Sequence, residues 1–143
     1  MKDMKAEWKN VWKSSKQPRK QRKYRINAPL HIRQKFMRSG VSKELHKKYG
    51  VRNVRVRTGD KVKIITGQFK KKSGKVESID LKKGKLKIAG IENIKKDGSK
   101  TLYSFDPSNI VIEELDLNDK KRREKLEKGR KNESTSQKTT ESK

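Results

Sequence analysis

The sequence predicts a mainly β protein: a small antiparallel barrel, preceded by a basic N-terminal extension containing one short helix and followed by a C-terminal helix and a flexible tail. Two observations carry that expectation. Between residues 51 and 116, apolar residues alternate with charged ones at the two-residue period of strands with one buried face, and turn signals punctuate that stretch at short intervals. The alternating pairs are Val54 and Val56, Val62 and Ile64, Leu86 and Ile88, and Ile110 and Ile112. Between them fall Thr58-Gly59-Asp60, Thr66-Gly67, Ser73-Gly74, Lys83-Gly84, Asp97-Gly98 and Asp106-Pro107-Ser108-Asn109. Strands are expected near 53–57, 61–65, 74–80, 85–89, 100–104 and 109–113. Only 28% of the 143 residues are apolar, and closing the sheet is how so thin a core avoids exposed edges.

The flanks read differently. Residues 1–50 hold 16 basic and 3 acidic side chains, residues 51–116 hold 16 and 9, and residues 117–143 hold 10 and 5. More than half of the net charge of +25 therefore sits on the N-terminal fifty residues. Within them, Ser42 before Lys-Glu-Leu-His-Lys-Lys-Tyr and Gly50 after it predict one short helix near 42–49, with Ser42 as N-cap and Gly50 ending it. Met4, Trp8, Val11 and Trp12 recur at helical spacing, so an amphipathic turn or two is expected over 3–13. Residues 14–40 carry many cations and only isolated apolar residues, a composition expected to order only on a partner. After Leu117, the run Asp119 to Gly129 has helix-forming composition, and disorder is expected from Arg130 onward.

A surface with 42 Lys and Arg against 17 acids repels itself unless a polyanion neutralises it, which points to nucleic acid. With no cysteine, disulfides, thiolate metal sites and a cysteine nucleophile are excluded, and His31 and His46 have no carboxylates at ligand spacing. No metal or other cofactor is expected. No apolar run reaches the length of a membrane span and no signal-peptide pattern follows Met1, so an intracellular, soluble protein is expected, with neither membrane insertion nor a small-molecule substrate.

The densest chemistry lies in Gly59-Asp60-x-Val62-x-Ile64-x-x-Gly67-x-Phe69-Lys70-x-x-x-Gly74-Lys75-Val76. It sets a glycine-bearing basic loop between two strands. Lys70, Lys71, Lys72 and Lys75 there suit a phosphate backbone, where ammonium groups replace condensed counterions. Gly67 and Gly74 permit tight geometry. Phe69 offers either a stacking face for an unpaired base or a plug for the barrel end.

That stretch resembles a KOW motif, the β-loop-β element of several ribosomal and transcription proteins, with Gly74 on its most characteristic glycine. Further segments extend the resemblance: Lys16-Gln17-Pro18-Arg19-Lys20-Gln21-Arg22-Lys23-Tyr24, Ala28-Pro29-Leu30-His31-Ile32-Arg33-Gln34-Lys35-Phe36-Met37 and Leu45-His46-Lys47-Lys48-Tyr49-Gly50-Val51-Arg52. These, with Asp106-Pro107-Ser108-Asn109-Ile110 and Asp119-Lys120-Lys121-Arg122, are similar to the archaeal and eukaryotic branch of the universal large-subunit ribosomal protein twenty-four, from about Ser14 to Lys128. The resemblance implies an SH3-like barrel that binds the 5′ region of the large-subunit rRNA early in assembly, near the polypeptide exit tunnel, beside neighbouring large-subunit proteins. It places the protein in cytoplasmic ribosomes. Two departures stand out: Lys71 occupies a place where this family usually carries glycine, and Met1 to Lys13, with its two tryptophans, has no counterpart of general role.

The expected mechanism is electrostatic clamping, with the barrel docking by its basic loops and the 14–40 arm threading between RNA helices. Arg19, Arg22, Arg25, Arg33 and Arg38 suit bidentate contacts to phosphates or base edges, while Lys16, Lys20, Lys23 and Lys35 serve as point charges. Tyr24 and His31 are candidates for stacking on bases, and Lys47, Lys48, Arg52 and Arg55 extend the cationic set toward the barrel, whose motif glycines are Gly59, Gly67 and Gly74. A transcription elongation factor would need a further folded domain, and an architectural DNA-binding protein would show wedge residues on paired ribbons. Neither feature is in the sequence. No converging acid, base or nucleophile suggests an enzyme, and carboxylates such as Glu113 and Glu114 are expected to balance lysines.

Overall fold

The computed structural model describes residues 8–128. A 3₁₀ turn at Asn10–Ser14 leads into helices α1 (Pro18–Asn27) and α2 (Leu30–Phe36), strand β1 (Arg38–Val41) and helix α3 (Lys43–Tyr49). Strands β2 (Asn53–Arg55), β3 (Lys61–Ile64), β4 (Ser73–Asp80), β5 (Lys85–Ile94) and β6 (Lys100–Phe105) follow, then a 3₁₀ turn at Pro107–Asn109 and strand β7 (Ile110–Glu114). Helix α4, residues 120–128, ends the described chain. Residues 3–7 of the expected N-terminal amphipathic segment, and the tail from Gly129, lie outside the described residues.

Alternation along each strand decides what goes inside. Val62 and Ile64 of β3, Leu86 and Ile88 of β5, and Ile110 and Ile112 of β7 are all buried, while Lys63 and Lys87 between them face solvent. The strands form one seven-stranded sheet in the order β2-β1-β7-β3-β4-β5-β6, mixed because β1 runs parallel to β7. Val56, just beyond β2, and Phe105 of β6 come from opposite ends of that order yet share a single core cluster. The sheet must therefore curl upon itself, and irregularities at Lys61/Val62, Val76/Ser78 and Lys87/Glu92 supply the bends. This is the mainly β, barrel-like fold that the alternation predicts.

Strand β5 runs five residues beyond the expected end at 89. Gly90, at φ +78°, sits in the irregularity, Ile91 turns into the core at 3% exposure, and pairing with β6 resumes at Glu92 opposite Leu102. Helix α3 forms as its caps require: the Ser42 hydroxyl accepts from the Leu45 N–H at 3.3 Å, and Gly50 closes the helix with its N–H on the His46 carbonyl at 2.8 Å.

The segment 14–40, expected to order only on a partner, has regular structure in the chain by itself. It carries α1, α2 and β1, because apolar residues isolated in sequence meet in space. Trp8, Tyr24 and Phe36 stack in series, with ring centroids 5.4 and 6.0 Å apart, and the Trp8 indole N–H donates to the Tyr24 carbonyl at 3.1 Å. Ala28 is buried at 4% and Met37 reaches the barrel core at 2%. Strand β1 has no apolar alternation to announce it. Its two neighbours decide it: Ser39 stands opposite Val54 of β2, the Ser39 hydroxyl donates to the Ile110 carbonyl of β7 at 2.5 Å, and the Ser42 N–H donates to the Ile112 carbonyl at 2.9 Å.

The second flank is held by one buried ion pair. The Arg122 guanidinium of α4 spans Asp60 with both arms, Nη1 to Oδ1 at 2.6 Å and Nη2 to Oδ2 at 2.7 Å, and also donates to the carbonyls of Asp116 and Arg55. Asp60 accepts the N–H groups of Arg57 and Asp116 as well, at 2.8 and 2.9 Å. The aspartate of the Gly59-Asp60 turn is thus the anchor for the C-terminal helix.

Candidate nucleic-acid interface

The β3–β4 loop carries Lys70, Lys71 and Lys72, all exposed, with Lys75 exposed on β4. Phe69 turns inward. It packs half-buried against the core, its ring 5.1 Å from Tyr103 and 6.0 Å from Phe105, with the Lys72 ammonium 5.3 Å from its centroid. Of the two roles the sequence leaves open for this ring, the packing fits the plug.

Gly74 lies where β4 crosses β5 closely. A Cβ there would stand 2.7 Å from the Ala89 carbonyl oxygen and 2.7 Å from Ile88 Cγ2, so the need is space, not backbone freedom. Lys71 shows the opposite requirement. At φ +74° it is the one non-glycine residue with positive φ among the described residues. Its N–H still donates to the Ile64 carbonyl at 2.9 Å, so the loop keeps the turn that a glycine would give and holds it with strain. Lys71→Gly is expected to raise the unfolding free energy by about 0.5–1 kcal/mol, and Gly74→Ala to lower it by about 1–3 kcal/mol. Urea titration of both variants checks the pair.

On the arm, Lys16, Arg19, Lys20, Arg22, Lys23, Arg25, His31, Lys35 and Arg38 are exposed. Lys23 lies 4.9 Å over the Trp12 ring and Arg25 5.8 Å over Phe36, contacts that fix two of these cations in direction. Lys47, Lys48 and Arg52 are exposed around the end of α3, and Arg55 is half-buried on β2. Two residues assigned to RNA take other parts. Tyr24 is buried at 6% with Trp8 and Phe36 against its ring, so it builds the arm's own core and is not a stacking face. Arg33 spends its guanidinium on backbone carbonyls: Nε on Ala28 at 2.9 Å, Nη1 on Lys82 at 2.6 Å, and Nη2 on Ile26. It ties the arm to the β4–β5 turn and orients its neighbours.

That tie creates a cleft of about 400 Å³ between α1–α2 and the β4–β5 turn, bringing Arg25, Arg33 and Arg38 together with Lys82 and Lys83. The lysines of the KOW-like loop line none of it. Asp80 fixes the turn: its carboxylate accepts the N–H groups of Lys83 and Lys82 at 3.0 and 2.9 Å, and the Lys83 bond leads in holding its pKa below the usual carboxylate value. Lys82 and Lys83, with Lys85 and Lys87 on β5, are cations that the sequence reading leaves out. The signal was present: lysines beside the Lys83-Gly84 turn, and at the two positions flanking Leu86.

Acids balance lysines on the opposite flank of β3. Lys61 pairs with Glu114 at 2.8 Å and Lys63 with Glu113 at 3.7 Å, and Arg57 pairs with Asp119. No cluster of three or more His, Cys, Asp or Glu side chains fit for a metal occurs among the described residues.

Residues 15–129 match the family that comprises the eukaryotic ribosomal proteins L26 and their archaeal L24 counterparts. The chain belongs to that family. Its relatives include the large ribosomal subunit protein uL24 of Nanoarchaeum equitans, 49% identical over 121 residues that cover 85% of this chain and 81% of the relative. The uL24 of Methanosarcina barkeri is 45% identical over 114 residues, covering 80% and 98%. That of Methanothrix thermoacetophila is 47% identical over 108 residues, covering 76% and 93%. The family match takes in the arm, the barrel and α4 as one unit, including both ends of the Asp60–Arg122 pair. Trp8 and Trp12 precede it, although Trp8 packs on Tyr24 within it.

Proposed function

We propose that this protein is a structural, non-enzymatic constituent of the large ribosomal subunit, binding the 5′ region of its rRNA early in assembly near the polypeptide exit tunnel. The observation that carries this reading is the family match across arm and barrel together, joined to a geometry in which the cations of α1 and the β3–β4 loop are exposed and Arg25, Arg33 and Arg38 meet Lys82 and Lys83 at one cleft. Arg19, Lys20, Arg22 and Lys23 of α1 meet phosphates, and the cleft beside Lys82 and Lys83 continues that surface onto the barrel. Lys70, Lys71, Lys72 and Lys75 make a second, separate contact from the β3–β4 loop. Its partners are the rRNA and neighbouring large-subunit proteins, and its place is the ribosome in the cytoplasm. Among the described residues no helix is long and apolar enough to cross a membrane.

Co-sedimentation tests the reading directly. The protein is expected to remain with large subunits through a high-salt wash and to be absent from small subunits. Release into the free pool at moderate salt would identify a loosely bound factor instead.

A further inference from the structure

The cleft joins two surfaces of different chemistry. Its rim carries Arg25 and Arg38 from the arm side and Lys82 and Lys83 from the turn, and among the described residues none of these four side chains has an ion-pair partner. Asp80 is nearby and feels both lysine charges, but it accepts hydrogen bonds only from their backbone N–H groups and forms no ion pair with either ammonium. Asp106, the one carboxylate lining the cleft, is held by Lys85 at 2.7 Å. Two apolar side chains, Phe36 and Leu81, line the cleft half-buried, and the Arg25 guanidinium lies over the Phe36 ring. Ser108 stands exposed at the edge with its hydroxyl free of any hydrogen bond among the described residues.

We propose that this cleft is a socket for one unpaired nucleotide of RNA, its base on the Phe36–Leu81 floor and its phosphate among Arg25, Arg38, Lys82 and Lys83. The proposal rests on the rRNA-binding reading and adds to it the kind of RNA element recognised. About 400 Å³ lies within the 300–1,000 Å³ or so of small-ligand pockets. A base fits such a space and a duplex does not. Duplex RNA is read by shape across a wide, shallow groove, whereas splayed bases stack on aromatic rings and on guanidinium planes, both of which the floor supplies. The Arg33 clamp builds both walls before any ligand arrives, since its three carbonyl partners lie on the arm and on the turn.

Adenosine monophosphate and inorganic phosphate, titrated separately into the full-length protein and followed by backbone amide NMR, separate the parts of the socket. The monophosphate is expected to shift Phe36, Leu81 and Ser108 as well as the cations, and phosphate alone to shift only Arg25, Arg38, Lys82 and Lys83. Ser108→Phe, which fills the cleft while keeping every cation, is expected to abolish the first set of shifts. It should weaken binding to a 5′ fragment of large-subunit rRNA on the order of ten- to a hundredfold, with the salt slope unchanged. Lys82→Ala with Lys83→Ala should instead flatten that slope by about 1.4–1.8. These two exposed substitutions serve if Ser108→Phe fails to fold. Identical shifts from the monophosphate and from phosphate, or full rRNA affinity in Ser108→Phe, overturn the socket. Failure of the unaltered protein to bind the rRNA fragment overturns the rRNA reading instead, and the monophosphate titration still decides the socket.

Discussion

Replacing Arg122 by Met is expected to lower the unfolding free energy by about 3–5 kcal/mol, the range for removing one partner of a buried ion pair. Asp60 is fully buried and the Arg122 side chain is 6% exposed, so water cannot take the place of the lost guanidinium. The two backbone N–H groups of Arg57 and Asp116 would remain on the carboxylate, which keeps the loss finite. Asp60→Asn removes the charge from the other side and leaves a buried guanidinium with the carbonyls of Asp116 and Arg55. Because each single change strands the opposite charge, the double variant should cost clearly less than the sum of the two, and a double-mutant cycle by urea denaturation measures that coupling. Hydrogen exchange gives the local consequence: amides of residues 120–128 should lose protection before the barrel amides do. A loss below about 1 kcal/mol in Arg122→Met would mean that α4 lifts away and Asp60 is hydrated, and that the pair does not hold the C-terminal flank to the barrel.

What the sequence made legible follows from where the information is local. The strands with alternating residues appear near their expected places because each alternation is decided within four or five residues. Helix α3 appears because Ser42 and Gly50 are chemical punctuation at its two ends. Strand β1 was not legible, since Arg-Ser-Gly-Val has no pattern of its own and forms by lying between two partners, β2 some fifteen residues away and β7 some seventy. The helices of the arm were missed for a related reason. Tyr24 and Phe36 look isolated in a basic run, and only their meeting with Trp8 gives α1 and α2 something to bury. Arg33 and Arg122 show the limit of a charge count. Both are arginines in cationic segments, yet one binds three carbonyls and the other a buried aspartate, and nothing local distinguishes them from Arg22 or Arg123. Lys71 is the reverse case, a local departure whose consequence was fully local: the left-handed backbone remained and the glycine did not.

The steepest expected dependence is on salt. If ten of the exposed cations on α1, the cleft rim and the β3–β4 loop meet phosphates, the slope of log affinity against log salt should be about −7 for single strands and about −9 for duplex. Raising monovalent salt from 50 to 200 mM would then weaken binding to a large-subunit rRNA fragment by a factor on the order of 10⁴–10⁵. The structure refines which substitutions should alter that slope. Alanine at Arg19, Lys20, Arg22 and Lys23 together removes four outward charges without touching the Trp8–Tyr24–Phe36 stack, and should flatten the slope by about 3. Arg33→Ala removes one formal charge, but its guanidinium is already committed to carbonyls, so it subtracts no phosphate contact of its own. It should weaken binding by letting the arm and the Lys82–Lys83 turn separate, changing affinity more than its single charge predicts and raising the exchange of α2 amides. Filter binding across a salt series for the three proteins tells the two effects apart. A slope near −2 in the unaltered chain would show that the arm's cations remain solvated and that only one small patch carries the grip.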